Sequence, residues 1–191
     1  MVATPKKCKK ILKILAQVVD SGQKLSYNKC SIRQDPEMKL LTGSYNHTVD
    51  GKNRIRIPAK IKADMFPELA NTDEESGKFT VYFRAGTGGC ISVYTEDEVN
   101  RQLEKLLDVK ESDDEMYQAA SVYASSFKLI ESDPQGRLVI PPEFKEYAGI
   151  DKEIVICGNI KHVDIWSQER HLEYIKKNSL NLTSAIKKLG L

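Results

Sequence analysis

Apolar and polar residues alternate along much of the chain with the period of two that is typical of half-buried β-strands. The segment RIRIP at 54–58 is the clearest example. Successive side chains of a strand point to opposite faces, so Ile55 and Ile57 are expected to face a core while Arg54 and Arg56 face solvent. Other segments have the longer period of helices, and turn residues separate the two kinds. Short strands mixed with short helices predict an α+β fold.

The same periodicities, together with helix-capping residues, predict the order of the elements. Thr95 with Glu98 and Ser112 with Glu115 have the spacing of capping boxes, and Ser167 is expected to cap the last helix. The predicted elements are a short strand pair at 40–50, a strand at 54–58, a short helix at 59–66, a hairpin of two apolar strands at 78–94, helices through 99–107 and 116–127, strands at 127–132 and 137–141, a short helix to 147, strands at 153–159 and 161–166, and a final helix through 172–175.

The chain contains the same pattern twice. The stretch HTVDGKNRIRIPAKIK around Asp50 resembles LIESDPQGRLVIPPEFK around Asp133, and an offset of 83 residues also brings Arg54 onto Arg137. A second shared phrase follows each stretch, GCISVYTEDEV in the first copy and HVDIWSQERHL in the second. Such a repeat indicates one structural unit built twice. Each copy is too small to bury a comfortable core alone, so the two copies are expected to share one, either with each other or with neighbouring subunits.

The domain organisation follows from this repeat. Residues 38–111 are predicted to form the first repeat, residues 112–179 a linking helix and the second repeat, and residues 180–191 a C-terminal tail. Residues 1–37 contain eight Lys/Arg and three Asp/Glu and have no counterpart in the repeat, so we expect a basic, poorly ordered extension. A basic arm that helps to hold nucleic acid is the alternative, and Met38 is a candidate for the native start.

The ionisable residues give no support to an enzyme. His47, His162 and His171 are far apart in sequence and lack the i, i+4 spacing of metal ligands on a helix. The glycine-rich GTGGC lacks the G-K-[ST] of a phosphate loop, and a hairpin turn accounts for it. We therefore predict no catalytic residue, no metal and no cofactor. No run reaches the roughly 18 apolar residues that span a bilayer, and cysteines without C-x-x-C spacing fit a reducing cytoplasm.

The charge distribution separates the two copies. Residues 38–191 contain 21 Lys/Arg and 24 Asp/Glu, so any affinity for a polyanion must come from a local patch. Residues 52–62 include five basic residues and no carboxylate, whereas the matching stretch 135–145 has two basic residues and one glutamate. Arginine can bind phosphates or guanine edges, and a two-stranded β-ribbon fits the major groove. The first copy is therefore predicted to bind DNA, with a merely solvated charged face as the alternative.

The repeated D-x-x-x-R has two possible roles. In a tight turn an aspartate can accept hydrogen bonds from backbone amides two residues further on, and it can also pair with the arginine four residues away. For Asp50, Asp133 and Arg137 we expect this structural role. For Arg54 the neighbouring positive charges favour contact with DNA.

Several ordered phrases of the sequence resemble the MraZ family of proteins. The segment MKLLTGSYNHTVDGKNRIRIPAK is similar to their opening, G-x-Y-x-H-[ST]-x-D followed by D-x-x-x-R and I-P, and GCISVYTEDEV is similar to their G-C-L-x-L-Y-P. The stretch DPQGRLVIPPEFKEYAGIDKEIVICGN resembles their second half almost throughout, so the resemblance covers roughly 38–177. Asn53 stands where the family usually has glycine, and because asparagine tolerates left-handed geometry the turn is expected to survive. Thr95 replaces the usual proline.

This resemblance implies a bacterial transcriptional regulator of division and cell-wall genes, within the SpoVT/AbrB swapped-hairpin superfamily. It implies a tandem double repeat with a small β-barrel-like core and flanking short helices, assembled as a ring-shaped homo-oligomer. The partner is double-stranded DNA at tandem direct repeats of a promoter, and the location is the cytoplasm and nucleoid. The family's DNA contact maps to Asp50 and Arg54. With the charge pattern added, the predicted DNA-binding residues are Lys52, Asn53, Arg54, Arg56 and Lys60. A homo-oligomeric scaffold that binds no DNA is the alternative function.

Overall fold

A computed structural model describes residues 40–69, 78–110, 112–188 and 190, which belong to one compact unit spanning 39–191. The predicted extension at 1–37 and most of the predicted loop after the first short helix lie outside the described residues. The elements are β1 (Ser44–Thr48), β2 (Arg54–Arg56), α1 (Ala59–Met65), a 3-10 turn (Pro67–Leu69), β3 (Thr80–Ala85), β4 (Ile91–Tyr94), α2 (Glu96–Glu104), α3 (Asp114–Ser125), β5 (Lys128–Glu131), β6 (Arg137–Val139), α4 (Pro142–Ala148), β7 (Glu153–Asn159), β8 (His162–Ser167) and α5 (Gln168–Lys188).

The strands form one six-stranded sheet and one two-stranded ribbon, and all their pairings are antiparallel. The order of the sheet is β1-β7-β8-β4-β3-β5, and the ribbon pairs β2 with β6. The α+β class expected from the sequence is confirmed. The barrel-like closure is not seen in the part of the chain that the structure describes, because β1 and β5 lie at opposite ends of the strand order and leave the sheet with two edges.

Every strand that precedes α3 pairs with a strand that follows it. β1 pairs with β7, β3 with β5, β4 with β8 and β2 with β6, so each of these ladders joins the first half of the chain to the second. Exchanging each strand for its counterpart in the other half, β1 for β5, β3 for β7 and β4 for β8, reverses the sheet order and leaves it otherwise unchanged. Ser92 faces Asp164 at the centre of the sheet, and Ile55 faces Leu138 at the centre of the ribbon.

A single hydrophobic cluster contains side chains from both sheets, from α1 and from α4. The ribbon contributes Ile55 and Leu138, which are 1% and 0% exposed, so its inner face is buried while its outer face is not. Phe83 of β3 contacts Phe144 of α4 edge-to-face, with ring centroids 5.8 Å apart. Removing one such large buried side chain costs about 2–5 kcal/mol, because the cavity left behind adds to the lost burial. This packing fixes the ribbon on the body of the protein.

Three local expectations were wrong by small amounts. The stretch predicted as a strand pair contains β1 and one isolated bridge between Leu41 and Ile160. The cap of α3 is Asp113, whose side chain accepts the amide of Met116, and not the preceding serine. The same helix ends at Ser125, before the last apolar residue that its spacing included. By contrast, the hydroxyl cap predicted for α2 is confirmed, and α5 extends to Lys188 through most of the predicted tail.

Candidate nucleic-acid interface

The first D-x-x-x-R forms a closed turn between β1 and β2. Asp50 Oδ1 accepts the amides of Lys52 and Arg54 at 2.8 and 2.9 Å, and its Oδ2 accepts Nε of Arg54 at 2.7 Å. The backbone completes the turn, since the amide of Asp50 donates to the carbonyl of Arg54 and the amide of Asn53 donates to the carbonyl of Asp50. One carboxylate therefore fixes both the backbone of the turn and the arginine that follows it.

The second D-x-x-x-R has the same bonds. Asp133 Oδ1 accepts the amides of Gln135 and Arg137 at 2.9 Å each, and its Oδ2 accepts Nε of Arg137 at 2.7 Å. Gly136 has φ of 69° and occupies the place that Asn53, with φ of 57°, has in the first turn. The expectation that asparagine would preserve the left-handed turn is confirmed. Asp50, Asp133 and Arg137 all take part in these bonds, and their structural role stays a prediction.

The two turns contact each other as well as themselves. Arg54 Nη1 lies 3.9 Å from Asp133 Oδ2, a charge interaction longer than a hydrogen bond. Arg56 Nη2 donates to the carbonyl oxygen of Gln135 at 3.2 Å. Lys145 of α4 donates from Nζ to Oδ1 of Asn53 at 2.9 Å, and a backbone bond from Ile140 to Asn53 lies beside it. The antiparallel pairing of β2 with β6 places the two turns at opposite ends of the ribbon, where each contacts residues of the other half of the chain.

The carboxylates in the turns are ionised well below neutral pH. The amide of Arg54 contributes most to lowering the pKa of Asp50, partial burial opposes it, and the guanidinium of Arg54 and the amide of Lys52 contribute further, so that the pKa is about 2 instead of 3.8. The amide and guanidinium of Arg137 lower the pKa of Asp133 in the same way. Each arginine thus keeps an anionic partner at physiological pH.

Arg54 is less accessible than its place in the sequence suggested. Its side chain is 23% exposed, close to the 26% of Arg137, because the two arginines have equivalent partners. Side-chain exposure therefore does not distinguish the two arginines. The terminal nitrogens of the two arginines differ in their contacts. Nη1 of Arg54 lies 3.9 Å from Asp133 Oδ2, whereas Nη2 of Arg137 lies 2.7 Å from the same oxygen.

The two turns differ in the side chains around them. Lys52 of the first turn, Arg56 of β2 and Lys60 of α1 are all exposed. An offset of 83 residues places Gln135, Val139 and Glu143 at the same positions of the second turn, and Glu143 is paired there with Lys128. The extra positive charge thus belongs to the segment that follows the first turn, and the antiparallel pairing brings its Arg56 against the second turn.

A second polar cluster lies inside the sheet, away from the turns. Asp164 accepts hydrogen bonds from Ser92 and Asn159 and lies 3.3 Å from His162. Burial and the charge of Asp164 raise the pKa of the neighbouring Cys90 to about 12, so that thiol is protonated and unreactive. Among the described residues there is no group of three or more His, Cys, Asp or Glu that could hold a metal ion, and no helix long and apolar enough to cross a membrane.

Comparisons with known proteins identify the family. A family model for the MraZ protein matches residues 127–189. Transcriptional regulator MraZ of Clostridium beijerinckii is 34% identical over 139 residues, which are 73% of this chain and 89% of that protein. The chain belongs to the MraZ family. The transcriptional regulator MraZ of Clostridium acetobutylicum is 31% identical over 79% of this chain and 97% of its own length. The MraZ regulator of Heliobacterium modesticaldum is 30% identical over 78% of this chain and 96% of its own length.

Membership of the MraZ family has two consequences. The family consists of transcriptional regulators and not of enzymes, so the prediction that this protein is not an enzyme is confirmed. The resemblance of the sequence to the MraZ family is also confirmed, and the Clostridium acetobutylicum relative extends over both turns, because its match covers 151 residues of this chain.

Proposed function

We propose that this protein regulates transcription by binding double-stranded promoter DNA through the first turn and the outer face of the β2–β6 ribbon. In this proposal Lys52, Asn53, Arg54, Arg56 and Lys60 form the DNA-binding surface. Asp50, Asp133 and Arg137 hold the turns in shape. The protein acts in the cytoplasm at the nucleoid, on promoters of division and cell-wall genes.

The observation that supports this most is the uneven charge of two otherwise similar segments, 52–62 and 135–145. Lys52, Arg56 and Lys60 are exposed, whereas their counterparts are neutral or acidic. A two-stranded ribbon is narrow enough for the major groove, and exposed cations beside it can neutralise phosphates on both sides. Neutralising phosphates releases counterions, so binding through this surface is expected to weaken steeply with salt.

We also infer that the two halves of the chain are copies of one unit and that the protein assembles into a ring. Two observations support a duplicated unit: the turns have matching hydrogen bonds, and exchanging the two halves of the chain only reverses the order of the strands in the sheet. Helix α3 supports the second, because it has no buried residue and exposes Met116, Tyr117 and Val122. A second copy of the chain is the partner that would cover them. Identical basic surfaces in a ring can bind evenly spaced repeats, and each contact after the first is effectively intramolecular.

The test is binding of the purified protein to a fragment of its own promoter, followed by fluorescence anisotropy at several salt concentrations. The Arg56→Gln and Lys60→Gln variants are expected to weaken binding and to reduce the salt slope by about one unit each, because each removes a phosphate contact. Lys176→Gln, which changes the same charge on the exposed face of α5, is the matched control and is expected to bind like the wild type.

The alternative, a scaffold that binds no DNA, makes the opposite prediction. It requires that the wild-type protein show no salt-sensitive preference for the promoter fragment over a scrambled fragment of equal length. Val122→Asp tests the assembly separately, because a charge on α3 is expected to shift the oligomer to smaller species by light scattering. Unchanged assembly in that variant would count against α3 as the contact between copies.

A further inference from the structure

We infer that Gln135, at the tip of the second turn, reads a base of the bound DNA and so contributes to sequence specificity. This inference rests on the proposed DNA-binding function and adds a contact from the second half of the chain. The family resemblance and the charge pattern both pointed to the first turn, and neither assigns a role to this residue.

The first step is the position of Gln135 relative to Lys52. The amide of each residue donates to Oδ1 of the aspartate two positions before it, at 2.9 and 2.8 Å. The same bond therefore fixes both backbones in equivalent turns, and both side chains are exposed. The two tips lie at opposite ends of a ribbon only three residue pairs long, so a duplex that lies along the outer face of the ribbon passes both.

The second step is the contact between Gln135 and the basic surface. The backbone carbonyl oxygen of Gln135 accepts a hydrogen bond from Nη2 of Arg56 at 3.2 Å. The tip of the second turn therefore lies against the exposed arginine of the ribbon. Within the described residues, no hydrogen bond involves the side-chain amide of Gln135. That amide is therefore an available donor and acceptor next to the surface that is proposed to bind DNA.

The third step is chemistry. Lysine and arginine beside the ribbon supply charge, which binds phosphates without regard to sequence. A glutamine side chain has no charge and contributes little to phosphate affinity, but its amide can bind N6 and N7 of adenine through two hydrogen bonds in the major groove. Lys52 and Gln135 occupy equivalent positions but have different chemistry. In this inference the first turn supplies affinity for DNA, and the second turn supplies discrimination between bases.

The experiment selects binding sites for the full-length protein from a library of randomised DNA duplexes and sequences the bound fraction. The wild type is expected to prefer adenine at one position of each repeat by roughly 5- to 150-fold. Gln135→Ala is expected to lose that preference at that position alone, with an unchanged salt slope. Gln135→Glu is expected to move the preference towards cytosine, because a carboxylate accepts a hydrogen bond from N4 of cytosine.

The controls separate this inference from the proposed function. Lys52→Gln is expected to lower affinity on all sequences and to reduce the salt slope without changing the adenine preference. If Gln135→Ala, folded as judged by its melting temperature, keeps every base preference of the wild type or loses affinity equally on all sequences, the inference is wrong while the proposed function stands. If the wild type enriches no sequence and shows no salt-sensitive binding, both are wrong.

Discussion

Ser92 donates a hydrogen bond of 2.7 Å to Oδ1 of Asp164 between β4 and β8, the two central strands of the sheet. Burial opposes the ionisation of Asp164, but hydrogen bonds from His162, Ser92 and Asn159 outweigh it and lower the pKa of the carboxyl. The strands from the two halves of the chain are therefore joined by a buried, charged and bonded carboxylate as well as by apolar packing.

We predict that Ser92→Ala destabilises the protein by about 1–3 kcal/mol, because it leaves a buried carboxylate without one of its donors. The measurement is the urea midpoint of unfolding at neutral pH. Ser44→Ala, at an exposed serine of β1, is the matched control and is expected to change stability by less than about 0.5 kcal/mol. Equal losses in the two variants would contradict the role given to the Asp164 cluster.

A second prediction concerns acid. Because folding lowers the pKa of Asp50 from 3.8 to about 2, its carboxylate stabilises the protein above pH 3.8, and this contribution is lost as the pH falls towards 2. Asp50→Asn keeps an acceptor for the amides but loses the charge that pairs with Arg54. The difference in melting temperature between wild type and Asp50→Asn is therefore expected to be constant near neutral pH and to shrink over that acid window. Asp151→Asn, at an exposed position, is expected to show no such window.

The tight connection between β7 and β8 gives a third prediction. Ile160 has φ of 59°, a left-handed conformation that β-branched residues rarely adopt, and its side chain is 59% exposed. Ile160→Asn is expected to raise stability by about 1 kcal/mol, because asparagine accepts this conformation and little burial is lost. Thermal unfolding is the measurement. Ile160→Val keeps the branched side chain and is expected to stay within about 0.5 kcal/mol of the wild type.

The two turn arginines give a fourth prediction. Since Arg54 and Arg137 have equivalent partners and similar exposure, Arg54→Ala and Arg137→Ala are expected to lower the melting temperature by similar amounts. They are expected to differ in DNA binding, with a loss of about tenfold or more for Arg54→Ala and a smaller loss for Arg137→Ala. Melting curves and anisotropy on the same samples separate the two effects. Equal losses of DNA affinity would assign contact with DNA to both turns.

Local sequence pattern was sufficient for the turns and the strand faces. The alternation in RIRIP fixed which isoleucines are buried, and the tolerance of Asn53 for a positive φ followed from its side chain. The helix cap was missed by one residue because Ser112 and Asp113 are both good caps, and only the path of the chain decides between them.

The interactions that join the two halves could not be predicted from local pattern. Periodicity indicates that β1 is a strand but not that its neighbour is β7, because pairing depends on the burial of the whole chain. For the same reason the contact of Arg54 with Asp133 was missed, and Arg54 was expected to be more exposed than it is. Charge pattern located the basic surface, whereas the proximity of Gln135 to Arg56 required three-dimensional information.

The alternation of the two halves in the sheet has a consequence for assembly. Four of the strand ladders, β1–β7, β3–β5, β4–β8 and β2–β6, join strands from opposite halves of the chain, so the same pairings are sterically possible between two molecules. The connection through α3 favours the partner in the same chain only by keeping it at high local concentration. Domain exchange between molecules is therefore built into the topology, and crowded or partly unfolded samples are where exchanged dimers are to be expected.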